Sequence, residues 1–135
     1  MRKIDYSKKS IPQLIAIADK WCHKYIRLRD HNKPCVSCGQ FRTIEAGHFY
    51  SGGHYPVLRF NQYNIHGQCK HCNQYLHGNL NEYRRKIVDR IGTERLSELD
   101  LLADMYKRNG FKWDRFGLIE TIEKFRILIA IHIHS

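Results

Sequence analysis

The chain has 135 residues, enough for one domain with a modest core. Its 23 Lys plus Arg against 13 Asp plus Glu leave a net charge of +10, so a polyanion is the expected partner, bound by phosphate neutralisation and counterion release. No apolar run is longer than that of residues 127–131, which falls far short of the ~20 needed to span a bilayer, and the Arg2-Lys3-Ile4-Asp5 start does not read as an export signal, so a membrane or secreted protein is not expected.

The first predicted element is a helix over about 11–29. Ser10 and Gln13 form a capping box, and Ile11, Leu14, Ile15, Ala18, Cys22, Tyr25 and Ile26 recur at helical spacing as an apolar stripe. Cys22, inside that stripe, reads as a buried thiol and not as a ligand. Lys20, Lys24 and Arg27 occupy the other face, as solvated cations or phosphate contacts. Lys33-Pro34 ends the helix, and Cys35-x2-Cys38 opens an irregular segment. Residues 41–50 are rich in β-formers and run into Ser51-Gly52-Gly53, which predicts a strand delivering His48 to a loop edge. A short second strand over 61–66 returns the chain to Cys69-x2-Cys72.

A helix over about 73–91 should follow, with Leu76, Leu80, Tyr83, Ile87 and Ile91 facing the core and Gly92 as its C-cap. Further helices fill about 94–133, interrupted at Asn109-Gly110. The chain closes on an apolar segment that either packs on the domain or forms a subunit contact. The expected fold is a single α+β domain over 1–135, whose core of about 33–91 is strand, strand, helix with flanking helices.

The cysteine pairs carry the chemistry. Each C-x2-C turn presents two sulfurs to one tetrahedral ion, and two turns complete the shell, so Cys35, Cys38, Cys69 and Cys72 read as a structural zinc site. Two disulfides are the weaker reading because nothing marks the chain for export. A zinc ribbon without chemistry is the other. Between the pairs lies Gly47-His48, and Asn73 follows the second pair directly. A knot of this kind clamps together a strand ending in a histidine and a helix opening with an amide.

That constellation, Cys-x2-Cys, Gly47-His48, Asn64-Ile65-His66-Gly67-Gln68-Cys69 and Cys72-Asn73, resembles the HNH branch of the His-Me finger nucleases, with a zinc-stabilised ββα-metal core. The stretch from Trp21-Cys22-His23-Lys24-Tyr25-Ile26-Arg27-Leu28-Arg29-Asp30 to Gly78-Asn79-Leu80-Asn81-Glu82-Tyr83-Arg84 resembles more closely the phage lambda NinG (Rap) family. The cysteine pairs followed by Asn are also similar to endonuclease VII of T4-like phages.

The resemblance implies a phage protein working in the bacterial cytoplasm as a homodimeric, metal-dependent endonuclease on branched DNA, with Holliday junctions among its substrates. It implies that His48 is the general base, that Asn64 orients it, and that Asn73 ligates a catalytic Mg²⁺ or Mn²⁺. It implies a second ligand at position 47, where this chain has Gly; Glu45 and His77 are the candidate replacements. Arg59, Arg84, Arg85 and Lys86 are the candidate phosphate contacts. The competing reading is a non-catalytic zinc module that binds nucleic acid in recombination, and a third is an interaction protein docking through its apolar tail.

Overall fold

A computed structural model describes residues 1–134. The fold is α+β. Helix α1 (Ile11–Asp30) is followed by strand β1 (Ile44–His48), a 3-10 turn (Pro56–Leu58), strand β2 (Ile65–Cys69), a π-helical turn (His71–Tyr75), helix α2 (Leu80–Asn109) and helix α3 (Arg115–His134). The two strands pair antiparallel, with Ile44 opposite Cys69 and His48 opposite Ile65. The sheet therefore ties the second cysteine turn to the start of β1 and sets His48 at the mouth of the loop between the strands.

Helix α1 begins with the expected capping box, Gln13 donating its backbone N–H to Ser10 Oγ (3.3 Å) and Ser10 donating to Gln13 Oε1 (2.8 Å). Its stripe of Leu14, Ala18, Cys22 and Ile26 is buried against Leu118, Ile122 and Phe125 of α3, with Phe60 and Ile65 completing the cluster. A second cluster, Val36, Phe49, Leu58, Tyr83, Ile87, Leu99 and Ala103, lies beneath the loop and α2. A buried Asp30 joins the parts. It accepts from Arg29 Nε (2.8 Å) and from the backbone N–H of Gly67 (2.8 Å), and it faces Arg90 Nη1 at 3.6 Å. Buried charge is tolerated there because it is compensated on several sides.

Three elements differ from expectation. The second strand runs over residues 65–69 and not 61–66, because Asn61 to Asn64 are held in turns by the bonds Asn61 N–H to Leu58 O (3.2 Å) and Asn64 N–H to Asn61 O (3.0 Å). The helix expected from Asn73 starts at Leu80: the chain first makes a π-helical turn, then takes positive φ at His77 (51°), Gly78 (94°) and Asn79 (44°), which no helix continues through. Leu76 and Leu80, expected inward, are consequently exposed. Gly92 does end a helix, at φ 83°, yet the next helix follows so closely that α2 is one bent element. The apolar end of α3 divides, with Ile129 buried and Ile127, Ile131 and Ile133 exposed. Among the described residues no helix is long and apolar enough to cross a membrane.

A four-cysteine cluster beside a histidine cleft

The Sγ atoms of Cys35, Cys38, Cys69 and Cys72 all lie within 4.8 Å of one another, and Cys38 Sγ is 3.9 Å from Cys69 Sγ. Four thiolates about 2.3 Å from a tetrahedral ion would stand roughly 3.8 Å apart, so this donor set could hold a metal ion. All five cysteines of the chain are free thiols, and Cys22 is buried away from the cluster among α1 and α3. Backbone Cys72 N–H points to Cys69 Sγ (3.5 Å), and Asn79 Nδ2 donates to Cys72 Sγ (3.5 Å), where burial outweighs that bond and pushes the metal-free thiol up to about 12. Burial raises the Cys35 thiol, but the N–H groups of Cys38, Cys69 and Ser37 outweigh it and bring Cys35 to about 7. Lys86 braces the first turn by donating to Ser37 O (2.9 Å).

At the far end of β1 from the register pair Ile44–Cys69, a cleft of ≈ 810 Å³ is lined by His48, Asn73, His77 and Arg84 together with the Phe49 to Gly52 segment and Tyr55. His48 Nε2 is 2.9 Å from the carbonyl oxygen of Arg59. A carbonyl can only accept, so Nε2 carries the proton and the lone pair is left on Nδ1. Burial lowers the His48 pKa, against the raising effect of the Arg59 carbonyl and of Asp19, so the ring is neutral near pH 7. Neutral, with a fixed tautomer, it is competent to accept a proton at Nδ1.

Asn64 does not touch His48. It is fully buried, accepts from Tyr50 N–H (2.9 Å) and donates to Tyr50 O (2.9 Å) and Leu58 O (3.1 Å), thereby lacing both ends of the loop that carries Arg59. Its influence on the ring is through backbone. Asn73 lies in the π-helical turn and not at a helix N-cap; its Nδ2 donates to Glu45 Oε1 (2.8 Å), which leaves Oδ1 as its remaining acceptor. Glu45 also accepts from Gln74 Nε2 at 2.9 and 2.8 Å and is not among the residues lining the cleft. It holds Asn73 and is placed as an orienting partner, not as a ligand facing the cleft. His77 lines the cleft from a turn with positive φ and not from the helix expected over 73–91.

Position 47 cannot take a larger side chain without rearrangement. A Cβ there would stand 2.8 Å from Gln68 Cβ and would run into Gln68 Oε1. Gln68 is itself fixed by Ser37 Oγ (2.8 Å) and Gly78 O. The glycine is a packing requirement.

The four cations expected on DNA phosphates are placed differently from one another. Arg59 makes a two-pronged pair with Asp19 of α1 (Nε 3.0 Å, Nη2 2.7 Å), so its charge is already answered. Arg84 reaches the cleft but pairs with Asp100 (3.1 and 2.6 Å), which also accepts from Tyr50 Oη. Lys86 is engaged at the cysteine turn. Arg85, the most exposed, makes only an i,i+3 pair with Glu82. Asp19, Asp100 and His23 were not singled out by the sequence. Asp19 is the one discernible signal, the single acid of α1 before its last residue, Asp30, on a helix whose polar side is otherwise basic.

A family model described as Bacteriophage Lambda NinG protein matches residues 1–128. Protein ninG of Escherichia phage lambda is 42% identical over 85 residues, 62% of this chain and 42% of that protein. Protein ninG of Escherichia phage 933W is 41% identical over 115 residues, 84% of this chain and 51% of that protein, and that of Salmonella phage P22 is 40% identical over 85 residues, 62% and 42% respectively. The chain spans about half the length of the curated relatives it matches. No solved structure matches it.

Proposed function

The chain belongs to the bacteriophage lambda NinG family, and we propose that it is a metal-dependent endonuclease acting on branched DNA intermediates of phage recombination, with an HNH-like site in which His48 is the general base. The observation that carries this reading is the His48 ring itself, protonated at Nε2 by its bond to the Arg59 carbonyl so that Nδ1 keeps its lone pair, on a residue that lines one cleft with Asn73, His77 and Arg84. Nδ1 would take a proton from the water that attacks phosphorus, as the bond to the leaving oxygen breaks. The strand, strand, helix order of β1, β2 and α2, with a π-helical turn before the helix, supports the reading of a ββα-metal core.

In this reading the four cysteines hold zinc, a structural ion that locks the second strand and the π-helical turn to the first cysteine turn. The cleft suits a magnesium or manganese ion through Asn73 Oδ1 and His77, and such an ion supplies charge neutralisation at the phosphate. The net charge of +10 supports a DNA partner. A pair of sites in a homodimer would match the two-fold symmetry of a four-way junction, and the host cytoplasm is where a phage protein of this kind would act.

Gly47 favours a second reading. It withholds the ligand that many HNH sites place before the base, and Gln68 fills the space, so a zinc-containing DNA-binding protein without catalysis is the alternative. The deciding experiment incubates labelled four-way junction, flap and linear duplex with Mg²⁺, Mn²⁺ or EDTA. Metal-dependent nicking of the branched substrates is the expected result; a gel shift without cleavage under every metal leaves the binding module.

A further inference from the structure

Helix α1 lies outside the strand, strand, helix segment, yet it reaches His48 twice. His23 packs its ring edgewise on His48, with centroids 5.7 Å apart and planes at 72°. One turn earlier, Asp19 takes both Nε and Nη2 of Arg59, at 3.0 and 2.7 Å, and the carbonyl of Arg59 is the group that holds His48 Nε2. We propose that Asp19 is a positioning residue for His48: through the Arg59 side chain it fixes the backbone carbonyl that sets the tautomer and the plane of the ring.

The local construction explains why such an anchor is needed. Arg59 follows the 3-10 turn, in a loop of 16 residues between His48 and Ile65 that has no strand partner. Asn64 secures the loop at Tyr50 and at Leu58, but its bonds end one residue short of Arg59. On the other side Phe60 is buried in the core against Trp113. Between these ties the Arg59 carbonyl could still rotate with its peptide plane. A two-pronged carboxylate pair has a fixed planar geometry and restrains the arginine in direction as well as distance, which a single bond does not. Gly52 allows the arginine stem to lie against the loop, since a Cβ there would come within 2.8 Å of Arg59 Cγ. With its side chains 30% and 24% exposed, the pair is partly shielded from solvent competition.

This assignment also removes Arg59 from the phosphate contacts. A guanidinium answered by a carboxylate has no free charge to give to DNA, so loss of Arg59 should lower turnover and leave junction affinity in place. The opposite pattern would mark a phosphate contact.

The proposal rests on His48 as the general base for its catalytic consequence, but its geometric content is tested without DNA. Long-range ¹H–¹⁵N spectra of the zinc-loaded protein, with the His48 signals identified by their absence in His48→Ala, report the tautomer from the separation of the two ring nitrogen shifts. In the parent protein the separation should be wide, with protonated Nε2. In Asp19→Asn it should narrow as the second tautomer gains population, and Asp19→Glu should restore it. Arg59→Gln reads the same change from the other partner if Asp19→Asn does not fold. Under saturating junction, both should cleave about 10- to 100-fold more slowly than the parent, with affinity within about twofold. An unchanged separation in the folded variants overturns the proposal, and so does an Arg59→Gln protein that loses affinity and salt dependence while keeping its turnover. If the parent protein cuts no substrate, the nuclease reading fails and the spectra alone decide whether Asp19 positions the ring.

Discussion

Gly47→Ala offers a quantitative test of the packing around the base. The new Cβ would sit 2.8 Å from Gln68 Cβ, which is a close-packed atom and not the free end of a flexible chain, so β1 and β2 must part or Gln68 must turn away. Overpacking of this kind costs about 1–3 kcal/mol. Turning Gln68 aside also breaks its bonds to Ser37 Oγ and Gly78 O in a buried setting, about 1 kcal/mol each. Together the two contributions should destabilise the protein by about 3–5 kcal/mol. In urea unfolding under zinc-replete conditions the midpoint should fall by roughly 1–2 M with the slope unchanged. Gln68→Ala in the same background should recover part of the loss, since the two changes share one contact. A midpoint shift below about 0.2 M would refute the reasoning and reopen position 47 to a ligand-bearing side chain.

Other perturbations have equally defined outcomes. Chelation of the metal, or Cys72→Ser, should loosen the fold, because a four-thiolate site couples binding to folding; unchanged melting in a metal-free, reduced sample would contradict it. Burial, followed by the Arg29 charge, lowers His66 to about 4, so the folded state refuses a proton that the unfolded chain takes below about 6.5, and stability should fall with pH between those values. His66→Gln should flatten that slope in acid titrations of unfolding free energy, leaving the further loss below pH 4, where Asp30, held at about 2 by Arg29 and the Gly67 N–H against the cost of burial, takes up its proton. Asp100→Asn should release Arg84 and tighten junction binding a few-fold at low salt; a double change with Arg84→Ala should cancel the gain.

Much of the fold was legible because local signals and tertiary demands agree. The α1 stripe and its capping box, the four-cysteine cluster and the break at Gly92 all follow from spacing or from a residue's backbone freedom. The segment after Cys72 was not legible. Periodicity from Asn73 reads as helix, but the cysteine turn imposes a π-helical turn and three positive φ angles first, a constraint of the knot and not of propensity. At the cleft the fold brings His48, Asn73, His77 and Arg84 together, whereas Glu45, a candidate ligand, and Arg59 and Lys86, candidate phosphate contacts, are held by partners 28, 40 and 49 positions away. Residue type shows that a side chain can bind a phosphate or a metal. Only the fold shows that its charge is already matched.

The central claim is that His48 Nδ1 is the base, and His48→Ala tests it most directly. Rates of metal-dependent junction cleavage should be compared at saturating protein for parent and variant, with zinc content and junction affinity measured on the same samples. Cleavage slowed by about 10²- to 10⁴-fold, with zinc and affinity retained, is the predicted result. A His48→Ala protein that cuts the junction as fast as the parent would contradict the assignment of this cleft.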